Sequence, residues 1–316
     1  MSEILHIVPG LNAGWSGIAV AAKLLAKEQG AELVDARNVD VRTLARFDEV
    51  WVHSTWSLPV WRACCLAKSA GKMLVRMTHG NLDPVRLSYN GFKKCLAGPV
   101  ERYFLRQADV VVATCEAEAD WIRAYEPKVK SIEITNLKRF FNLANTAAKK
   151  GQNFSPKPHP LHLLYLGRQH PLKGLSYLQE AWNTYYNICS SSHSSGNTQN
   201  IYYNMCSTEL STELRIVSNA FGDELKKVWD WCDVLVLPTL SDNFGLVIAE
   251  ALERGKRVIT TDGAPAWSPS ASATEDNADG NDYGGRLTYI NGYRDGSAVD
   301  RVCLLKEAIA NLIGDK

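Results

Sequence analysis

The sequence predicts an α/β protein built from two successive parallel-sheet units, and three observations lead there. Short apolar, β-branched runs alternate with longer helix-patterned stretches, as βαβ units require. After residue 142 the alternation gives way to an Asn-, Lys- and Pro-rich stretch without periodicity, and then it restarts. A chain of 316 residues also has room for two cores, at roughly 100 to 200 residues per domain.

In the first unit the strand-like runs are ILHIV near 4, AELVDA near 31, EVWVH near 49, KMLVRMT near 72, ADVVVAT near 108 and KSIEIT near 130. The stretch NLANTAAKKGQNFSPKPHP reads as a linker. The second unit follows with LHLLYLG at 161, TELRIVS at 212, CDVLVLPT at 232 and KRVITT at 256. The predicted boundaries are 1–145 for the first domain, 146–160 for the linker and 161–316 for the second. Two such sheets are expected to face a cleft, with ligands beyond the carboxyl ends of the strands and at helix N-termini. Residues 189–211, Ser- and Asn-rich, are expected to be a mobile loop, and 268–285 an irregular surface excursion. The last helical stretch, DRVCLLKEAIANLIG, carries apolar residues at helical spacing and is expected to pack on the second unit.

Composition narrows the function classes. With 46% apolar and 22% charged residues the chain is ordinary for a soluble protein, and no apolar run approaches the roughly 18 residues of a spanning helix. The start, MSEILHIVPG, has no basic n-region or small-residue cleavage site, so no signal peptide is expected. The expected location is the cytoplasm. The cysteines at 64, 65, 95, 115, 189, 206, 232 and 303 form no C-x-x-C pair and no His-spaced cluster, so reduced, mostly buried thiols are expected. The net charge of +1 hides an asymmetry: residues 1–150 hold 21 Lys and Arg against 15 Asp and Glu, and the remainder 14 against 19. A basic half favours anionic partners such as phosphates or an acidic membrane surface.

Three places can carry chemistry. The first strand runs into PGLNAGWSG, with Gly10, Gly14 and Gly17 before a helix. The spacing is not G-x-G-x-x-G, which disfavours a dinucleotide site, yet such a turn lets a ligand approach the backbone, and a plain βα turn serves as well. Next, WVHSTWS and MTHGNLDP put His53, Trp56, His79 and Gly80 just past two strand ends, where α/β proteins place functional groups. His79 is the favoured functional residue, and His53 and Trp56 are candidates for the acceptor side.

The second unit holds the third place. In YLGRQHPLKGLSYLQEAW, Arg168 and Lys173 flank a turn between a strand and a helix opened by Gly174. Arg forks onto phosphate oxygens and Lys adds a point charge, so the pair suits a diphosphate; two solvated surface cations are the alternative. In LPTLSDNFGLVIAEALERG, Asp242 and Glu250 lie eight apart around Phe244, Gly245 and Leu246. A helix beginning near Asn243 or Phe244 aims the N–H groups of Gly245 and Leu246 at an anion. Glu250 then sits about two turns on, and Asp242 precedes the helix, with an N-cap role as its alternative.

These motifs carry a family resemblance. GRQHPLKG, then SDNFGLVIAEAL, then VITTDGAPAW, resemble the donor-binding half of the family 4 retaining glycosyltransferases, which have the GT-B fold of two Rossmann-like domains. The run from MTHGNLDP through a basic helix to ATCEAEADWIRAY is similar to the first half of bacterial members. The resemblance implies a retaining glycosyltransferase that takes a nucleotide-diphosphate sugar, UDP-sugar favoured, and no metal or other cofactor. Arg168 and Lys173 match the cations that hold the diphosphate, Asp242 and Glu250 the two acids of the E-x7-E motif, which meet the donor sugar and the ribose. Gly245 and Leu246 match the amides near the phosphates, with Phe244 beside them. His79 matches the histidine near the transferred sugar, and Gly14 to Gly17 the glycine loop near donor phosphate and acceptor. Asp242 stands where the family has Glu, and the short stretch after TELRIVS implies a trimmed second domain.

The acceptor so implied is a glycan or glycolipid, in lipopolysaccharide or cell-surface polysaccharide synthesis, with no nucleic-acid partner. A non-catalytic binding or scaffold subunit and a nucleotide-sugar epimerase are the alternatives. GFKKCLAGPVERYFLRQ interleaves Lys93, Lys94, Arg102 and Arg106 with Phe92, Leu96, Tyr103, Phe104 and Leu105, and Lys138, Arg139, Phe140 and Phe141 follow. That pattern can hold the protein peripherally at an anionic inner leaflet, with Pro99 expected to interrupt the helix; a solvated charged face is the alternative.

Overall fold

Aliphatic runs without alternation form strands covered on both faces, as in parallel sheets flanked by helices. The computed structural model describes residues 3–12, 16–143, 161–185, 201–204, 212–218, 220–269, 283 and 285–314. The first unit contains β1 (Ile4–Val8), α1 (Gly17–Gln29), β2 (Glu32–Asp35), α2 (Val41–Leu44), β3 (Glu49–His53), α3 (Leu58–Ser69), β4 (Met73–Met77), α4 (Pro84–Ser88), α5 (Gly91–Gln107), β5 (Val110–Ala113), α6 (Glu116–Tyr125) and β6 (Ile132–Ile134). A 3-10 turn at Leu137–Phe140 follows. The six strands form one parallel sheet in the order β2-β1-β3-β4-β5-β6.

The second unit contains β7 (Leu161–Leu166), a 3-10 turn at Pro171–Lys173, α7 (Leu175–Tyr185), β8 (Ile201–Asn204), β9 (Thr212–Val217), α8 (Gly222–Trp231), β10 (Val234–Leu237), α9 (Leu246–Glu253), β11 (Arg257–Thr261), a 3-10 turn at Pro265–Trp267, β12 (Leu287–Ile290) and α10 (Ala298–Gly314). Its sheet runs β12-β11-β10-β7-β9-β8, parallel except for β8, which pairs antiparallel with β9. The chain divides into compact units at Phe140/Phe141. The 146–160 linker lies outside the described residues.

Both sheets reverse their strand order in the middle: β1 has β2 on one side and β3 on the other, and β7 lies between β9 and β10. Such switch points leave a crevice at the carboxyl ends of the strands, where ligands bind on open α/β sheets. In the first unit Leu5, Ile7, Val50, Val52 and Leu74 pack against Val60, Cys64 and Ala67 of α3 and Phe104 and Leu105 of α5. Each such Val, Leu, Ile or Phe side chain contributes roughly 1.5–3 kcal/mol by leaving water. In the second unit α10 packs on α7, with Val302, Leu305 and Ile309 buried.

Several expectations need correction. β8 lies within the stretch expected to be a loop, and β12 had no strand reading; both are four-residue edge strands, IYYN and LTYI, set among polar and turn-forming residues that mask them. The rest of 189–211 lies outside the described residues. α5 runs unbroken through Pro99, and Gly98, which precedes the ring, carries no side chain to crowd it. Of the six described cysteines, Cys64, Cys115 and Cys232 are buried but Cys65, Cys95 and Cys303 are exposed, so half of the described thiols, not most, are buried. No helix among the described residues is long and apolar enough to cross a membrane.

Candidate active site

In the second unit Lys173 and Asp242 meet beside the switch point between β7 and β10, while Arg168 follows β7 and Glu250 lies on the helix after β10. Beyond β7 the chain turns through Gly167 and the exposed Arg168, whose carbonyl accepts from the Tyr165 hydroxyl at 2.9 Å. The Tyr165 phenol is pushed up by burial and by the Asp242 carboxylate, and held back by Arg168. His170 then caps the 3-10 turn that carries Lys173. This turn is fastened to the loop after β10, because the Leu240 N–H donates to the Leu172 carbonyl at 2.8 Å. Gly174 allows the closeness: it has φ +67°, and a Cβ there would stand 1.8 Å from the Pro238 carbonyl oxygen. No side chain fits that approach.

The fastening brings Lys173 onto Asp242 as an ion pair, with side chains 15% and 17% exposed. The sequence reading gave these residues to different parts of a ligand; the structure pairs them with each other. The Asp242 N–H also donates to the Gly263 carbonyl at 2.7 Å, so the acid is held by the loop after β11 as well. The following helix starts later than expected. α9 begins at Leu246 with Gly245 as its N-cap in the left-handed region, so Asp242 is not the cap, and Glu250 is just over one turn in. The reason is that Gly245 tolerates φ +63°, which delays the first helical residue. Phe244 is buried, its carbonyl taken by the Trp267 indole and its ring stacked on Phe141 at 6.3 Å. Burial raises the Glu250 carboxyl above its usual range, against the nearby Arg254. The arrangement offers two cations, an acid and the unpaired amides of a helix N-terminus, a set able to hold a diphosphate joined to a hydroxylated group.

In the first unit His79 sits just past β4 with φ +54°, followed by Gly80 at φ +70°. Glu118, fully buried on α6, holds this turn: it accepts from the Thr78 hydroxyl at 2.7 Å, the Gly80 N–H at 2.6 Å and the Thr114 N–H at 2.8 Å. His79 Nε2 is 2.8 Å from His53 Nδ1, and His53 Nε2 is 2.9 Å from His6 Nδ1. His53 is therefore wholly buried with both ring nitrogens occupied, and it cannot meet an acceptor directly. Trp56 packs on the core and edge-on to Tyr125, and its backbone N–H donates to Glu101 at 3.1 Å. Glu101 in turn pairs with Arg76 at 2.7 Å, both side chains 0% exposed. That pair braces the loop in which Ser54 and Trp56 both have positive φ. Gly17 opens α1 beneath its Ser16 cap, while Gly14 lies outside the described residues.

Sequence reasoning missed His6, Arg76, Glu101 and Glu118 as supports. Glu118 had a signal, since ATCEAE was part of the resemblance, but which atoms it binds is set by how β4 and β5 pair. The basic-aromatic stretch is also reshaped. Phe104 and Leu105 belong to the core, Arg139 pairs with Glu28 at 2.6 Å, Phe141 stacks on Phe244, and burial pushes Lys138 down to about 8.

Residues 11–135 match the model of the glycosyl transferase 4-like domain, and residues 160–276 that of the glycosyl transferases group 1. Two parallel-sheet units bearing these two matches define the class: the chain is a glycosyltransferase of the GT-B fold. Among solved structures it is similar to Anabaena HepE in complex with UDP and glucose, at 14% identity and TM-score 0.55 over 100% of both chains. It is also similar to the E. coli trehalose-6-phosphate protein bound with UDP-2-fluoro glucose, at 12% identity and TM-score 0.56 over 98% of this chain and 96% of that one. The sucrose-phosphate synthase of Thermosynechococcus elongatus shares 17% identity at TM-score 0.53, over 99% and 98%. No curated protein sequence matches the chain.

Proposed function

We propose that the protein transfers a sugar from a UDP-sugar, with retention of configuration, to a glycan or glycolipid acceptor of cell-surface polysaccharide or lipopolysaccharide synthesis, through a two-domain chain divided near residues 146–160. The observation that carries the donor reading is the contact of the Lys173 turn with Asp242 beside the amino end of α9. Arg168 and Lys173 take the diphosphate, Gly245 and Leu246 offer N–H groups to it, and Glu250 accepts from the ribose hydroxyls. Donor binding draws Lys173 from Asp242 to phosphate, which releases the carboxylate for the sugar hydroxyls. His79 serves the transferred sugar, and Gly14 and Gly17 serve the donor phosphate and acceptor. As the glycosyl–oxygen bond breaks, negative charge grows on the diphosphate, where fixed cations and N–H donors stabilise it most. The acceptor hydroxyl bonds to the sugar carbon and its proton passes to the departing phosphate oxygen. UDP as the donor nucleotide is supported by the complexes of HepE with UDP and glucose and of the E. coli protein with UDP-2-fluoro glucose.

A lipid-linked acceptor is supported by α5. Phe92, Leu96, Val100 and Tyr103 are 78%, 68%, 40% and 52% exposed and fall on one helical face, with Lys93 and Arg106 exposed along it. We take that face to rest peripherally on an anionic inner leaflet. The test of the whole reading is UDP release from a panel of UDP-sugars with lipid-linked and soluble glycan acceptors. Wild type turns over, and Arg168→Ala and Glu250→Ala each abolish turnover. No UDP release with any pair, together with no thermal shift by any nucleotide, overturns it.

A further inference from the structure

His6, His53 and His79 come from three neighbouring strands or strand ends of the first sheet, β1, β3 and β4. They bond end to end: Gln29 Oε1 to His6 Nε2 at 2.6 Å, His6 Nδ1 to His53 Nε2 at 2.9 Å, and His53 Nδ1 to His79 Nε2 at 2.8 Å. The register places them on one face of the sheet, since His6 pairs with Trp51 and His53 with Met77. Trp51 stacks on His6 at 5.0 Å and closes the chain of rings from the side. Among the described residues no group of three such side chains is placed to hold a metal ion; the rings point at one another in series.

A neutral imidazole has one N–H and one bare nitrogen. In a series of three, every link is satisfied only if all the rings are protonated on the same-named nitrogen. Any mixed arrangement sets two N–H groups, or two lone pairs, against each other in a buried site, which costs a full unmade hydrogen bond. Two self-consistent states remain. With the Gln29 carbonyl accepting, each ring carries its proton on Nε2 and the series ends in a bare His79 Nδ1. With a donor at position 29, the series ends in His79 Nδ1–H. Burial favours neutral rings throughout, and the positive Arg76 near His53 and Arg86 near His79 act the same way, against the Glu118 carboxylate near His79.

We propose that Gln29, His6 and His53 are positioning residues whose hydrogen-bonded series fixes His79 as the Nε2–H tautomer, so that its Nδ1 accepts a hydrogen bond from a hydroxyl of the bound sugar. The hydroxyl is the only part of this inference that rests on the proposed role of His79 in glycosyl transfer. The position at which the polarity is set, Gln29, is partly exposed at the end of α1, so it can be replaced without opening the core.

The test uses the full-length protein, labelled with 15N, and long-range imidazole correlation spectra at pH 8 without ligand. The expected result is three neutral rings, all protonated on Nε2. Gln29→Glu at this pH keeps an acceptor and leaves His79 unchanged, whereas Gln29→Lys supplies only donors and moves the His79 proton to Nδ1. With UDP-sugar and acceptor, Gln29→Lys is expected to lose about tenfold in kcat/KM, the scale of one hydrogen bond, and Gln29→Glu to retain wild-type values. His79 on Nδ1–H in the wild type, or no inversion in Gln29→Lys, overturns the proposal. So does inversion with unchanged kinetics. A wild type with no turnover counts against the function proposed above, and the spectra still decide the tautomer.

Discussion

Replacing Gly174 by alanine separates two costs that usually come together. At φ +67° an L-residue pays a left-handed penalty of about 1–2 kcal/mol. Its Cβ would also stand 1.8 Å from the Pro238 carbonyl oxygen and 3.2 Å from the Tyr293 hydroxyl. Since the first contact falls far inside van der Waals separation, the turn and the β10 loop must move apart by about 1 Å, and overpacking of this kind costs a further 1–3 kcal/mol or so. Gly292, in the same unit, is the control: it has φ +70° with nothing within 4 Å of where a Cβ would stand, so Gly292→Ala carries the left-handed penalty alone. Urea denaturation should place Gly174→Ala about 1–3 kcal/mol below Gly292→Ala. The displaced turn carries Lys173, and a 1 Å error at a reacting centre costs on the order of 10²-fold. Turnover with the UDP-sugar should therefore show a loss of that order in kcat/KM for Gly174→Ala and none for Gly292→Ala, and calorimetric titration should show weaker UDP binding by Gly174→Ala alone. Equal stability and equal turnover of the two variants would refute the claim that close backbone approach at Gly174 builds the site.

Three further outcomes are expected. Glu101→Gln leaves the buried Arg76 without its countercharge and should lose about 3–5 kcal/mol by chemical denaturation, while the double variant Arg76→Met/Glu101→Gln recovers much of it; a single variant as stable as wild type contradicts the brace. Stability should fall as pH drops from about 6.5 towards 4, because burial holds His6 and His79 down to about 4 and His53 well below its ordinary value, so the unfolded chain takes up protons that the folded one refuses. Denaturation at stepped pH with His53→Gln, which should flatten the slope, checks this. For α5, Phe92→Glu with Leu96→Glu should abolish sedimentation with anionic liposomes at low salt and leave turnover on a soluble acceptor intact; persistence of wild-type binding in high salt contradicts an electrostatic contribution.

Ten of the strands were legible because their aliphatic runs are long enough to show, and the motif residues were legible because strand ends, glycines and charges recur at spacings tied to βα turns. The edge strands β8 and β12 were not: they are no shorter than β2 or β6, but polar and turn-forming residues surround them. At the site, Arg168, Lys173, Asp242 and Glu250 could be picked out by type and spacing. Their pairing could not, because Lys173 meets Asp242 only through a turn that Gly174 lets onto Pro238 and a hydrogen bond from Leu240 to Leu172. His53 illustrates the same limit from the other side: a polar residue at a strand end reads as a ligand contact until the neighbouring strands place a histidine on each of its nitrogens.

The sequence by itself determined the class of fold, the two-unit organisation and the residue types available for binding a diphosphate, since these depend on local periodicity and composition. Tertiary structure alone decided which groups are free to act. Burial, register and the direction of hydrogen bonds come from residues tens of positions apart, and they turned His53 into a support, gave Asp242 a cationic partner and aligned three imidazoles into one series.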